Sequence, residues 1–268
     1  MKKIILSTLS LLFLAGSSVC AQSDHILWYN QPARYFEESL VLGNGKMGAS
    51  VFGGVNSDMI FLNDATLWTG EPVNANMNPE AYKNLPAIRE ALKNEDYKLA
   101  DSLNRRLQGK YSESYAPLGT LYLNFKHKGA PAKYYRELDI ADAVSKVEYE
   151  VNGVKFTREY FISYPDKVMV LKLTSSKKGA LNFDIRFGSL LKYKVSTLDK
   201  KLSAHGHAPL GAKPVYLGDN LHAVTYNENR GTRFSTLARI KNTDGLVSVT
   251  DSTLVLSNGT EAVVLVSV

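Results

Sequence analysis

The chain has 268 residues, of which 44% are hydrophobic, and its 32 Lys and Arg against 26 Asp and Glu give a net charge of +6. This length suits one large domain or two small ones. The basic residues are interleaved with acidic ones and form no long run, which argues against a nucleic-acid partner. The single cysteine, Cys20, excludes an intramolecular disulfide.

Residues 1–21 have the pattern of a secretory signal peptide. Lys2 and Lys3 precede an apolar run over residues 4–16, and small residues follow before Gln22. The run is too short for a comfortable membrane span, so none is expected. We expect cleavage after Ala21, which lowers the net charge from +6 to +4 and predicts export to the periplasm or the outside of a bacterial cell.

The stretch 40–70 is dense in Gly and Asn and predicts a hairpin. Strands are expected at 47–53 and 59–63, joined by a turn. The hairpin leads into Asn63, Asp64 and Trp68, which place an amide, a carboxylate and a large aromatic together at the end of a sheet. This mixture suits sugar recognition, because amides and carboxylates bind hydroxyls while an aromatic face covers a sugar ring. The alternative is a structural turn with a core tryptophan.

A short helical insertion is predicted at about 80–108. Apolar residues at helical spacing indicate a first helix over 82–93. Asn94 is expected to cap a second helix, in which Leu99, Leu103 and Leu107 form one apolar stripe.

The remaining sequence alternates with period two and predicts a large antiparallel β-sandwich. The clearest hairpin turns at Asn152-Gly153, a pair typical of a tight two-residue turn. The segment 203–219 is expected to be a loop. Strands are predicted at 118–125, 134–140, 144–151, 154–161, 167–174, 181–187, 221–226, 233–241, 245–249, 253–256 and 261–268.

The last of these strands, 261–268, is apolar and stops without a turn or a tail. We therefore expect that the chain is a fragment of a longer protein. In the isolated chain this strand is expected to be a bare sheet edge that lowers solubility.

Histidines near residues 205–222 raise the question of a metal site. The candidates are His205, His207, Asp219 and His222. Because their spacing matches no common ligand set and the region is predicted as a loop, neither a metal nor any other cofactor is expected.

Glycoside hydrolysis needs two carboxyl groups, so pairs of acidic residues were compared. The pairs are Glu37 with Glu38, Asp64 with Glu71, and Glu148 with Glu150. Only Asp64 and Glu71 lie among polar and aromatic residues, and no pair identifies itself as an acid and a base. The residues therefore predict no catalytic group in this chain.

Several motifs together resemble the amino-terminal domain of glycoside hydrolase family 95. They are LGNGxxGA at 42–49, VFGG at 51–54, LNDxxLWxG at 62–70, YxPLGxL at 115–121, YxRxLD at 134–139, REYF at 158–161 and YPD at 164–166. The resemblance covers residues 26–268. Asp64, Ala116 and Thr120 depart from the usual Glu, Gln and Asp, which argues against direct roles for these three positions.

The resemblance implies an origin in an inverting exo-glycosidase that removes terminal α-L-fucose or α-L-galactose from glycans. It implies that residues 22–268 form a non-catalytic β-super-sandwich, followed in the parent protein by a linker and an (α/α)6 barrel that carries the catalytic residues. The expected partners are a glycan substrate and that barrel.

Trp68 and Tyr115 are the candidate substrate-binding residues, at the rim of a sugar pocket. Two alternatives stay open. In the first, the chain is a stand-alone carbohydrate-binding module, which requires a row of solvent-facing aromatics. In the second, it is a structural or adhesion-type β protein without a sugar site.

Overall fold

A computed structural model describes residues 25–218 and 220–268 of the chain. The predicted signal peptide, Cys20 and Asp219 lie outside these residues. Within them the protein is a mainly β, antiparallel sandwich of two large sheets, as predicted.

The nine-stranded sheet has the strand order β1-β6-β7-β8-β9-β18-β15-β12-β11. Its strands are β1 Ile26–Tyr29, β6 Pro131–Asp139, β7 Val144–Val151, β8 Val154–Ile162, β9 Val168–Ser175, β11 Lys192–Leu198, β12 Lys201–His207, β15 Arg233–Asn242 and β18 Glu261–Ser267.

The seven-stranded sheet has the order β16-β17-β10-β5-β4-β3-β2, and two very short strands form a separate ribbon, β13-β14. The strands are β2 Leu40–Gly43, β3 Met47–Val51, β4 Ser57–Asp64, β5 Gly119–Phe125, β10 Leu181–Gly188, β13 Gly211–Ala212, β14 Val224–Thr225, β16 Leu246–Val249 and β17 Thr253–Gly259.

The core lies between the two sheets because each strand buries every second residue. On β5, for example, Leu121, Leu123 and Phe125 are all buried, as their alternation predicts. The β7–β8 hairpin turns at Asn152 and Gly153 with φ of 51° and 75°, which are the left-handed values that this turn type needs.

The helical insertion contains α1 Leu85–Lys93 and α2 Tyr97–Asn104, with short 3₁₀ turns at Ala81–Asn84 and Arg105–Leu107. No helix in the described ranges is long and apolar enough to span a membrane.

Two details of the helical prediction are wrong. The cap of α2 is Asp96 and not Asn94, since the Asp96 carboxylate accepts a hydrogen bond from the Leu99 amide at 3.0 Å. The buried residue of α2 is Ala100, whereas Leu99 is 46% exposed. Because Asn94 instead ends α1, the second helix starts later than predicted and its buried face is rotated.

Three predictions for the C-terminal half are also wrong. Part of the predicted loop 203–219 is strand β12, which pairs on both sides, with β11 and β15. The predicted strand 221–226 is reduced to the two residues of β14. Strand β18 is not a bare edge, because it pairs with β9 on one side and β15 on the other. Its apolar character matches this central position.

A buried polar cluster joins the two sheets. The Asp58 carboxylate on β4 accepts hydrogen bonds from the Gly53 amide at 2.7 Å and the Tyr160 hydroxyl at 2.7 Å. Arg158 on β8 lies 3.3 Å from the same carboxylate and donates to the Gly54 carbonyl oxygen at 2.9 Å. The cluster therefore holds the turn after β3 against the opposite sheet.

Candidate functional site

Three connections meet at one end of the sandwich, which we call the loop end: residues 64–71, 113–118 and 208–231. The Thr69 amide donates to the Ser114 carbonyl oxygen at 2.8 Å, and the Gly70 amide donates to the Pro209 carbonyl oxygen at 2.9 Å. The helical insertion therefore leaves and rejoins the sandwich at the same place.

Trp68 and Tyr115 lie side by side at the loop end. Their backbones form an isolated antiparallel bridge, and their rings pack edge to face with centroids 6.1 Å apart. Trp68 is 45% exposed and Tyr115 is 40% exposed, so neither is a core residue. The structure thus brings together the two predicted site residues, and it excludes the interpretation of Trp68 as a core tryptophan.

The turn that presents Trp68 is fixed by local contacts. The Asp64 carboxylate accepts hydrogen bonds from the backbone amide and the hydroxyl of Thr66, at 2.8 and 2.6 Å. Leu67 is buried and anchors the turn. The indole N–H of Trp68 donates to the Ala65 carbonyl oxygen at 2.9 Å, which restricts the orientation of this partly exposed ring.

Tyr115 is a neutral hydrogen-bonding group. Its hydroxyl donates to the side-chain oxygen of Asn63. Burial raises the pKa of Tyr115, and the nearby charge of Asp64 raises it further. The phenol therefore stays protonated at neutral pH.

Three acidic residues at the loop end, Asp64, Glu71 and Glu113, have cationic or hydroxyl partners. The Glu71 carboxylate is paired with the Arg230 guanidinium, with one contact of 2.8 Å. Asp64 lies 3.6 Å from the Lys46 ammonium group. Glu113, which was not singled out from the sequence, accepts a hydrogen bond from the Thr69 hydroxyl at 2.7 Å.

The candidate carboxylates of Glu148 and Glu150 are also engaged. Glu148 contacts the ammonium groups of Lys146 and Lys155 at 3.0 and 2.9 Å. Lys133 lies 2.9 Å from Glu150, which makes that pair part of an ion-paired surface.

A cavity of about 600 Å³ opens beside Tyr115 on the outer face of the seven-stranded sheet. Its aromatic walls are Phe36, Phe61, Tyr115, Tyr122, Phe187 and Tyr193, and its polar groups include Asn63, Thr120, Arg186 and Ser189. The Arg186 guanidinium lies 4.2 Å above the Tyr122 ring. Aromatic faces beside amide, hydroxyl and guanidinium groups are what a sugar ring needs.

Of the residues that line this cavity, Asn63 and Tyr115 were singled out from the sequence as suited to sugar recognition. The other walls come from separate segments around Phe36, Tyr122 and Tyr193. No motif links these segments, so only the fold brings them together.

Two of the three histidines that suggested a metal lie on one strand. His205 and His207 belong to β12, whereas His222 lies in the turn before β14. Within 25–218 and 220–268, no group of three or more His, Cys, Asp and Glu side chains is placed to hold a metal ion.

The fold and the loop end define a large two-sheet β-sandwich domain with exposed aromatic side chains beside a surface cavity. The chain belongs to the family described as "Glycosyl hydrolase family 65, N-terminal domain", whose model matches residues 27–268. It is therefore an N-terminal domain of a glycoside hydrolase, as the sequence resemblance implied, although the family description carries the number 65 where the resemblance was to family 95.

Curated relatives are named as fucosidases. The chain is 33% identical over 226 residues to "Alpha-L-fucosidase 2" of Arabidopsis thaliana, a match that covers 82% of this chain and 27% of that protein. It is 29% identical to "Probable alpha-fucosidase A" of Aspergillus niger, covering 68% of this chain and 23% of that protein, and 28% identical to the protein of the same name from Aspergillus oryzae, covering 62% and 24%. The chain thus spans about a quarter of the length of these relatives.

Proposed function

We propose that the chain is the non-catalytic N-terminal domain of a secreted, inverting exo-glycosidase that removes terminal α-L-fucose or α-L-galactose from glycans. The names of the relatives support the sugar class, and their greater length is consistent with a catalytic (α/α)6 barrel beyond the matched part. The pattern of residues 1–21 supports secretion.

The observation that carries the proposal is the exposed Trp68–Tyr115 pair at the loop end. Both side chains are held by hydrogen bonds and both are partly exposed to solvent. A fixed aromatic face is suited to covering the apolar side of a sugar ring at the rim of a pocket formed with another domain.

The direction of β18 supports the same arrangement. Ser267 pairs with Leu237 in the middle of β15, so antiparallel β18 runs toward the start of β15, which follows the connection 208–231 of the loop end. In the proposed longer enzyme, the polypeptide that follows β18 would therefore emerge toward the loop end. The barrel would then lie close to Trp68 and Tyr115.

The engaged carboxylates support a non-catalytic role. A general acid or base needs a carboxyl group that can reach the glycosidic oxygen or a water molecule. Glu71 is instead paired with Arg230, and Asp64 is occupied by Thr66 and Lys46.

A second candidate is a stand-alone carbohydrate-binding module. The aromatic cavity beside Tyr115 favours this function, since it has the size and the mixed lining of a small-ligand site.

The test compares this chain with the longer protein that contains it. Hydrolysis of p-nitrophenyl α-L-fucoside and α-L-galactoside is measured for both, and NMR of the first sugar released by the longer protein gives its anomeric form. We expect turnover only by the longer protein, with inversion to the β-anomer.

Turnover by the short chain would overturn the non-catalytic role, and Asp64 and Glu71 would then be the first residues to replace. Binding of oligosaccharides by the short chain, combined with no hydrolysis by either protein, would favour the binding module. Retention at the anomeric carbon would refute the inverting mechanism alone. An intact residue 1 in the protein recovered from the bacterial periplasm would contradict cleavage after Ala21.

A further inference from the structure

Three adjacent strands at one edge of the nine-stranded sheet carry only positive charge. Strands β11, β12 and β15 contain six Lys or Arg residues and two His, with no Asp or Glu. These residues are Lys192, Lys194, Lys201, His205, His207, Arg233, Arg239 and Lys241.

The strand register places all eight on the outer face of the sheet, which we call the basic face. Lys192 is opposite His207, which is opposite Arg233 on the next strand. Lys201 is directly opposite Arg239. The alternate residues of β12 and β15, such as Leu202 and Ala238, are buried in the core.

The other half of the same sheet is built differently. There, lysines on β6, β7 and β8 alternate with glutamates and pair with them, as in Lys155 with Glu148. On the basic face, none of the six Lys and Arg residues forms an ion pair with a carboxylate of residues 25–218 or 220–268. Glu228 approaches only His207, at 3.9 Å, and its side chain is 81% exposed.

Like charges placed directly opposite each other on neighbouring strands destabilise a sheet. Lys201 and Arg239 are such neighbours, and Lys192 and Arg233 are separated only by His207 on the strand between them. An external anion that lies across the strands stabilises this arrangement, because the anion interacts favourably with several cations at once.

The basic face is also concave. A cavity of about 820 Å³ is lined by Lys192, Lys194, His205, His207 and Arg233, among others. One aromatic ring lies beside these cations, because the Lys192 ammonium group is 4.7 Å from the centroid of the Tyr226 ring. The site therefore combines cations for acidic groups with a ring for a sugar face.

We propose that the basic face binds an anionic polysaccharide that carries sulfate or carboxylate groups. The rows of cations are about 4.8 Å apart across strands and about 7 Å apart along them, so that acidic groups on successive sugars can each meet a cation. The Tyr226 ring beside Lys192 favours a polysaccharide over a nucleic acid. This site rests on the charges of β11, β12 and β15 and is independent of the proposed role in fucoside hydrolysis.

The test measures binding of the chain to four fluorescent probes: dextran sulfate, polygalacturonate, neutral dextran and duplex DNA. The variant Lys192→Gln/Lys194→Gln/Arg233→Gln removes three charges from the basic face. The matched control, Arg89→Gln/Lys93→Gln/Lys98→Gln, removes three exposed charges from the helices α1 and α2. Thermal unfolding checks that both variants remain folded.

Dextran sulfate or polygalacturonate is expected to bind, with the tighter of the two identifying sulfate or carboxylate as the ligand group. The basic-face variant is expected to lose about tenfold in affinity at about 50 mM salt, whereas the control loses less than about threefold. Neutral dextran is not expected to bind the basic face. An equal loss in both variants, an absence of binding to both acidic polysaccharides, or tighter binding to DNA than to either of them would overturn the proposal.

Discussion

Asp58 of β4 and Arg158 of β8 form an ion pair across the interior of the sandwich, with Nη1 and Oδ2 3.3 Å apart. Both side chains are at most 1% exposed. Burial alone would lower the pKa of Arg158, but the neighbouring Tyr160, Tyr149 and Asp58 raise it overall, so the guanidinium stays charged. Burial also raises the pKa of Tyr160, which keeps its hydroxyl as a donor to Asp58. The charges of Asp58 and Arg158 therefore stabilise each other in the interior of the protein.

Arg158→Met is therefore expected to destabilise the protein by about 3–5 kcal/mol, because it leaves the buried Asp58 charge without its partner. The measurement is urea unfolding, combined with Asp58→Ala and the double variant in a double-mutant cycle. The exposed pair of Lys133 and Glu150 provides the control, since Lys133→Met is expected to cost less than about 1 kcal/mol. Equal costs for Arg158→Met and Lys133→Met would contradict the role of the buried pair.

Gly54 makes the buried cluster possible. A Cβ atom added at Gly54 would collide with the backbone carbonyl oxygen of Ser57, which cannot move without opening the turn. Gly54→Ala is expected to cost about 3 kcal/mol or more in urea unfolding. At Gly43 the nearest atom to an added Cβ, the Met47 carbonyl oxygen, is 3.4 Å away, and Gly43→Ala is expected to change stability by less than about 1 kcal/mol. A mild effect at Gly54 would show that the turn is not held as described.

Most strands could be predicted because they follow simple alternation and end at recognisable turns. The hairpin at Asn152-Gly153 is the clearest case. The β11–β12 hairpin was missed because its turn is Asp199-Lys200. These residues adopt φ of 50° and 55° without the Gly or Asn that usually marks such a turn. The position of β18 was wrong for a different reason, since pairing partners far apart in sequence are not visible in a local pattern.

The assignment of Asp96, and not Asn94, as the N-cap of α2 can be tested by substitution. Asp96→Ala removes the carboxylate that accepts the Leu99 amide and is expected to cost about 1 kcal/mol. Asn94→Ala changes a residue that ends α1 and makes no such contact with α2, so a smaller loss is expected. The measurement is the thermal unfolding midpoint of each variant. A larger loss for Asn94→Ala would restore the cap predicted from the sequence.

The candidate site was only partly predictable. Trp68 and Tyr115 were chosen from motifs, but their contact depends on the insertion returning to the point where it left, at Thr69 and Ser114. The cavity beside Tyr115 depends on Tyr193, which belongs to the hairpin that was missed. The local sequence therefore does not show the long-range contact between Trp68 and Tyr115, nor the turn without Gly or Asn that forms the hairpin of Tyr193.

The aromatic surroundings of His127 predict that the protein loses stability in mild acid. It lies among Phe125, Phe156 and Tyr149, with its ring nitrogen 2.8 Å from the Tyr149 hydroxyl. Burial and, to a smaller extent, the positive charge of Arg158 together lower the pKa of His127 from 6.5 to about 4. The unfolded chain therefore binds a proton at higher pH than the folded protein does. The stabilising contribution of neutral His127 is complete above pH 6.5 and is lost as the pH falls toward 4.

The measurement is urea unfolding of the native chain and of His127→Gln at pH 7.5 and 4.5. Carboxylates also titrate in this range, so the informative quantity is the difference between the two proteins. His127→Gln is expected to lose less stability between the two pH values than the native chain, because it has no proton to take up there. The exposed His222→Gln variant is the control and is expected to lose as much as the native chain. A full acid-induced loss in His127→Gln would contradict the assignment.

Trp68 and Trp28 offer a matched comparison for the proposed sugar rim. They are similarly exposed, at 45% and 51%, but Trp28 packs against Tyr135 and lies on β1, which is the edge of the nine-stranded sheet opposite to β11. In the longer enzyme, Trp68→Ala is expected to lower kcat/KM for an α-L-fucoside between about three- and tenfold, because an aromatic face no longer covers the sugar. Trp28→Ala is expected to leave kcat/KM unchanged.

Trp68→Phe is measured as well, since Trp68→Ala also removes a neighbour of Tyr115. If the sugar needs an aromatic face, Trp68→Phe is expected to recover most of the activity. If the two alanine substitutions lowered kcat/KM equally, the loss of activity would be due to a general effect on folding, and Trp68 would have no role at the rim.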